Sequence, residues 1–154
     1  MSEKTVTIEL RQRRDYQFDI HFDESMPVLT SDEPAPLGTG LGPSPLQLLC
    51  AAVGNCLSDS LLFALSKFKQ NPEPLRAVVS AEVGRNDQGR LRVLRINAAL
   101  HLGVPAASLE HLSRVLGSFE SYCTVTQSVG QGIEVRTEVF DAQGVKVKAS
   151  GGSA

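Results

Sequence analysis

The stretch GPSPLQLLCAAVGNCLSDSLLFALSKFKQ, residues 42–70, decides how the rest of the chain folds. It reads as one long helix. Ser44 is a preferred N-cap, Pro45 suits the first helical position, and Gln47, three residues after the cap, completes a Ser-x-x-Gln capping box. Lys67 and Lys69 complement the negative end of the helix dipole, and Asn71-Pro72 stops the helix. At 1.5 Å per residue such an element is roughly 39 Å long. From Leu46 to Leu57 only Gln47, Gly54 and Asn55 interrupt the apolar and small residues, and a helix apolar nearly all round belongs inside a protein. Gly54 gives up about 1 kcal/mol of helix propensity, which points to a packing reason for it. On this helix Cys56 falls in line with Leu49, Ala52, Val53, Ser60 and Phe63.

Working outward, residues 5–10 alternate with Val6, Ile8 and Leu10 on one face, and residues 16–22 with Tyr16, Phe18, Ile20 and Phe22. These read as two antiparallel strands joined by a basic turn, Arg11-Gln12-Arg13-Arg14-Asp15. Residues 26–29 suggest a third strand. Residues 31–43 form a Gly- and Pro-rich crossing, and its Gly38-x-Gly40-x-Gly42 run lacks the Gly-Lys-Ser/Thr ending and preceding strand of a phosphate loop. Beyond the long helix, residues 75–83 and 91–102 flank a turn at 86–89 and read as a β-hairpin. Pro105 and Ser108 open a second helix striped by Leu109, Leu112, Leu116 and Phe119, with Cys123 at the next step. Thr124 and Gln127 suggest a capping box on a short helix at 124–129. Residues 133–139 alternate with Glu134, Arg136 and Glu138 outward, and residues 145–147 form a last short strand. The order predicts an α+β fold with mostly antiparallel pairing, in one domain over residues 1–154 with a disordered tail at about 149–154.

Composition narrows the function. The chain has 154 residues, 42% hydrophobic and 21% charged, and a net charge of −2. That balance gives no electrostatic case for a nucleic-acid or membrane partner. No uninterrupted apolar run approaches the ~18 residues of a membrane span, and the charged N-terminus lacks the apolar core of a secretion signal. The expected compartment is the cytoplasm. There, Cys50, Cys56 and Cys123 point to free thiols or redox chemistry rather than a disulfide framework. His21, His101 and His111 show no metal-ligand spacing, so no metal or other cofactor is expected.

Two motifs together resemble the OsmC/Ohr family of thiol-dependent peroxidases. Gly42-Pro43-Ser44-Pro45-Leu46-Gln47-Leu48-Leu49, followed by Gly54-Asn55-Cys56, is similar to that family's central helix. Ser121-Tyr122-Cys123-Thr124-Val125-Thr126-Gln127-Ser128-Val129 is similar to its second motif. The resemblance implies an OsmC-like fold, with antiparallel sheets packed on a long central helix, in an intertwined homodimer. It also implies reduction of an organic hydroperoxide, with Cys56 as the attacking thiol, Cys123 as the resolving thiol and an external thiol as reductant.

That chemistry needs a thiolate at neutral pH, against an unperturbed pKa of about 8.5. Cys56 lies too deep in its helix to gain much from the dipole, so a cation must supply the difference. In the hydroperoxide-reducing relatives this is an Arg of the first β-turn, supported by a Glu early in the long helix. Arg14 matches that turn best, with Arg13 the near alternative. The Glu is absent: Leu46 and Gln47 stand there, and only Asp59 and Asp15 offer themselves as substitutes. An apolar pocket lined by residues such as Leu49, Val53 and Phe63 is expected, with Arg14 at its mouth. Cys123 is expected to be the thiol favoured by position, just ahead of a helix N-terminus. Cys50, about 120° around the helix from Cys56, is expected in the core. The rival reading is a member that kept the fold without efficient turnover, acting as a small-ligand-binding or redox-responsive dimer.

Overall fold

A computed structural model describes residues 3–149; the expected tail from residue 150 onward lies outside them. The chain divides into two compact units, with the division between Leu49 and Cys50. In the first unit β1 (Glu9–Arg14), β2 (Gln17–His21) and β3 (Leu29–Ser31) form an antiparallel sheet in that order. The hairpin is tighter than the alternation suggested. Asp15 takes a left-handed conformation (φ 49°), and the Gln12 side chain donates to its carbonyl at 3.0 Å. The turn therefore consumes little chain. Strand β1 runs through Arg11–Arg14 with a bulge between Gln12 and Arg14, and Val6 and Ile8 fall before the strand. A bulge re-aims side chains locally, so the arginines leave the expected open turn for a strand end.

The Gly- and Pro-rich crossing folds around one buried carboxylate. Asp32 is 1% exposed and accepts hydrogen bonds from the Thr39 hydroxyl (2.7 Å) and from the amides of Glu33, Thr39 and Leu41. These partners hold its carboxyl far below the usual range, the Thr39 hydroxyl contributing most. A Cβ on Gly38 would meet the Glu33 carbonyl and the Asp32 carboxylate, so only glycine closes this loop.

Helix α1 (Pro45–Ser66) begins as its sequence dictates. The Gln47 amide donates to Ser44 Oγ at 3.2 Å, and the Ser44 amide donates to Gln47 Oε1 at 2.9 Å, a closed capping box. It ends earlier than Asn71-Pro72. Lys69 adopts φ 58°, its amide donates to the Ser66 carbonyl, and the Gln70 amide donates to that of Leu65, a Schellman termination. Lys67 and Lys69 thus lie past the last helical turn, and the helix has 22 residues. With Asp59 as its single charge, α1 is long and apolar enough to cross a membrane on length and composition alone, a test that core helices of soluble proteins also pass.

In the second unit β4 (Arg76–Arg85), β5 (Leu91–His101), β6 (Glu134–Phe140) and β7 (Lys146–Lys148) form a four-stranded sheet in that order. Strands β5 and β6 run parallel; the other pairs are antiparallel. Val53, Leu57, Leu61 and Leu65 make one buried stripe of α1. In the same unit Ile96, Ala98 and Leu100 of β5 and Val135, Thr137 and Val139 of β6 are buried. Each fully buried leucine contributes about 1.5–3 kcal/mol. Gly54 has the packing reason its sequence implied: a Cβ there would lie 2.6 Å from Val79 Cγ2 of β4.

The expected second helix is broken. Its pieces are a 3₁₀ turn at Ala106–Ser108, α2 (Leu112–Leu116), a second 3₁₀ turn at Phe119–Tyr122 and α3 (Thr124–Val129). His111 enters α2 at φ 60°, and Gly117-Ser118 follows it. The apolar stripe is kept through Leu112, Leu116, Phe119 and Cys123, all buried, although the backbone under it is not one helix.

Candidate active site

Cys56 sits mid-way along α1, one step off the buried stripe, and is half-buried. Cys123 sits between the Phe119–Tyr122 turn and α3, and is completely buried. Both belong to the second unit. They are near each other: the Cys56 thiol is among the groups that push the Cys123 pKa up. All three cysteines are free thiols.

The two thiols differ in environment. Burial pushes the Cys123 pKa up, the Cys56 thiol pushes it the same way, and the hydroxyl and amide of Thr126 pull it down. The net shift is upward. The expected advantage of a helix N-terminus is therefore overturned: α3 has only six residues, and desolvation outweighs what its first turn offers. In the neutral form Cys123 Sγ–H donates to Thr126 Oγ1 at 3.0 Å, so the proton has a defined acceptor. The expected Thr124–Gln127 capping box does not form. Cys123 is the N-cap, and the Gln127 side chain donates instead to the Glu120 carbonyl at 3.0 Å. Lys148 braces the same segment through Glu120 at 2.8 Å and the Leu116 carbonyl.

Other expected residues fall elsewhere. Val53 is fully buried in the core, whereas Phe63 is 61% exposed. Cys50 is half-buried rather than core, and partial burial raises its pKa. Asp59 accepts from the Asn55 side chain at 3.0 Å, and among the described residues neither it nor Asp15 forms an ion pair. In the first unit Arg13 is engaged with Asp19 (3.9 Å) and the Thr30 hydroxyl (3.4 Å). Arg14 has no ion-pair partner among the described residues. It lines a cavity of about 310 Å³ with Tyr16, Gln17, Asp32, Leu37 and Thr39. Among the described residues no group of His, Cys, Asp and Glu could hold a metal ion.

Sequence reasoning missed Thr126 and Asp32. The signal for Thr126 lay in its spacing, three residues after the motif cysteine whose thiol it accepts from. Asp32 carried no such signal, because nothing in its neighbours separates it from the exposed acids of the same region.

Residues 38–138, well over half of the chain, match the family described as OsmC-like protein. The chain belongs to the OsmC-like family. No curated protein matches it. Among solved structures, an OsmC-like protein of unknown function from Vibrio cholerae is 20% identical with a TM-score of 0.72, covering 91% of this chain and 100% of that one. An organic hydroperoxide resistance protein from Elizabethkingia anophelis, with thiocyanate bound, is 15% identical with a TM-score of 0.70, covering 90% and 98%. The organic hydroperoxide resistance protein OhrB of Bacillus subtilis is 14% identical with a TM-score of 0.68, covering 90% and 99%. These likenesses place the fold among OsmC-like structures.

Proposed function

We propose that this OsmC-like chain is a thiol peroxidase that reduces organic hydroperoxides through Cys56 and Cys123. The observation that carries the reading is the thiol pair: two sulfurs remote in sequence meet, one reachable from solvent and one sealed with its proton held by Thr126. A peroxide reaches Cys56 first. The Cys56 thiolate attacks the terminal oxygen of ROOH, the O–O bond breaks, and RO⁻ leaves and takes a proton to become the alcohol. Cys56 is then a sulfenic acid. The Cys123 sulfur attacks it, its proton leaves with the hydroxide as water, and a Cys56–Cys123 disulfide forms. An external thiol reductant restores both thiols while being oxidised to a disulfide itself.

Arg14 is the cation we assign to the Cys56 thiolate, because Arg13 is occupied by Asp19 and Thr30. The homodimer belongs to the same reading. In the single chain only 28% of the most apolar stretch of α1 is buried, a large apolar surface for a second copy to cover. One domain over residues 1–154 fits a family match that straddles the division at Leu49. Three free thiols suit the reducing cytoplasm.

Rapid mixing of reduced protein with cumene hydroperoxide tests the chemistry. Two thiols are lost quickly in the parent protein, none quickly in Cys56→Ser, and sulfenic acid accumulates in Cys123→Ser. Slow, equal consumption by all three proteins rejects the reading. The second reading, a ligand-binding or redox-responsive dimer, is favoured by Gln47, whose Oε1 is taken by the Ser44 amide and whose neighbour Leu46 cannot pair with a guanidinium. Under it, Arg14→Ala leaves the rate of thiol loss unchanged.

A further inference from the structure

Very little secondary structure holds Cys123 in place. The 3₁₀ turn before it has four residues and α3 after it has six. Isolated helices this short do not hold themselves in water, so tertiary ties set where they lie. Packing supplies one such tie, the completely buried Phe119. Where α2 meets β7 packing is incomplete: a cavity of about 430 Å³ opens there, lined by Leu112, Leu116, Val147 and Lys148. Polar contacts from Lys148 tie the two together instead. Its Nζ is 2.8 Å from Glu120 Oε1, donates to the Leu116 carbonyl at the end of α2, and sits 5.1 Å from the Phe119 ring centroid. The backbone of Lys148 is anchored in turn, opposite the buried Val139 of β6. Glu120 has no other ion-pair partner among the described residues, and its carbonyl accepts from Gln127 of α3. The contacts therefore run from the sheet through Lys148 and Glu120 to both sides of Cys123. The two charged side chains are only 21% and 27% exposed, so salt screens them less than a surface pair.

We infer that Lys148 is a positioning residue for the closing step, fixing the Cys123 sulfur where it can attack the Cys56 sulfenic acid. The inference rests on the peroxidase reading and deepens it. In that step the S–S bond forms and the Cys56 S–O bond breaks, and the hydroxide leaves with the Cys123 proton as water. Lys148 acts through Glu120 and the Leu116 carbonyl, not on a reacting atom. Cys56 rides on α1, whose place is set by the buried stripe of Leu57, Leu61 and Leu65, so its own attack on peroxide is independent of Lys148. Misplacing an attacking group by about 1 Å costs up to roughly 100-fold in rate.

The test separates the two steps. Reduced parent protein, Lys148→Met, Lys148→Arg and Glu120→Gln are mixed rapidly with cumene hydroperoxide, with and without dimedone to trap sulfenic acid. The parent closes its disulfide before dimedone reacts, whereas Cys123→Ser gives the full adduct. Lys148→Met forms sulfenic acid at the parental rate but closes about ten- to 100-fold more slowly, so the adduct appears on Cys56. Glu120→Gln keeps the Leu116 tie and slows closure less, and Lys148→Arg, which keeps the charge, closes near the parental rate. A lysine that only stabilises the fold behaves otherwise: Lys148→Met then lowers the urea midpoint and leaves both rates parental. That result overturns the inference, as does faster closure, or an equal slowing of both steps. Should Lys148→Met not fold, parental closure in folded Glu120→Gln overturns it. Absence of sulfenic acid in Cys123→Ser overturns the peroxidase reading itself.

Discussion

Gly54→Ala sets two opposite effects against each other at one position. The new methyl regains about 1 kcal/mol of helix propensity. It also arrives 2.6 Å from Val79 Cγ2, where apolar carbons rest at about 3.5–4.0 Å. Val79 is β-branched and paired with Ala98 in the β4–β5 ladder, so it cannot swing aside freely. About 1 Å of separation must come from the helix or the strand, and overpacking of this kind costs about 1–3 kcal/mol. The net is a loss of about 0–2 kcal/mol, a drop in Tm of up to roughly 8 °C for a chain of this size. Shifting α1 also moves Cys56, two residues on, relative to Cys123, so the disulfide formation proposed above slows as well. Thermal unfolding and thiol-loss kinetics of Gly54→Ala, Val79→Ala and the double variant form a cycle. Val79→Ala makes room for the methyl, and the double variant comes out about 1–2 kcal/mol more stable than additivity predicts. Simple additivity, or a Gly54→Ala protein more stable than its parent, would refute the close approach.

Thr126→Val removes a hydroxyl that stabilises the Cys123 thiolate, so the Cys123 pKa rises further, read by thiolate ultraviolet absorbance in a Cys56→Ser background. Because the folded Cys123 pKa is raised above its unfolded value of about 8.5, its contribution to stability is complete below that pH. It is lost as pH climbs through the folded value, and Cys123→Ser flattens that alkaline decline in urea midpoints. Asp32 has the opposite sign: its folded pKa is depressed, so its contribution is present above an unfolded value of about 3.9 and is lost as pH falls toward the folded one. Asp32→Asn lowers the urea midpoint at neutral pH and weakens its dependence on acid; an unchanged midpoint speaks against the buried hub. Lys69→Gly relieves a left-handed lysine in the Schellman turn and raises stability by about 0.5–1 kcal/mol in the same assay.

Much of this fold was written locally. Ser44, Pro45 and Gln47 form the cap their spacing dictates, the turn closed by Gly89 joins β4 and β5 where expected, and Val135, Thr137 and Val139 point inward by simple alternation. What the sequence hid depends on conformations that side-chain patterns do not record. Left-handed Asp15 shortened the first turn, left-handed Lys69 ended α1 early, and left-handed His111 broke the second helix. The leucine stripe through Leu112, Leu116 and Phe119 looked the same across that break, because burial selects apolar residues whatever backbone carries them. Both motif cysteines were legible as residues of interest. The direction of the Cys123 shift was not, since it turns on how desolvation compares with a short helix end, a contest that needs coordinates.

The parallel alignment of β5 and β6 carries a consequence for biogenesis. Parallel neighbours cannot be joined by a tight hairpin, so the chain from Leu102 to Ile133 must travel back along the sheet, and Cys123 rides on that return path. Contacts of such long sequence separation form late. A nascent polypeptide emerging into an oxidising burst thus carries Cys56 without its partner thiol, and the nearest sulfur along the chain is Cys50 on the same helix. Under the proposed peroxidase chemistry, sulfenic acid formed at that stage has no native thiol to close on, so maturity of the sheet and reversibility of the oxidation arrive together.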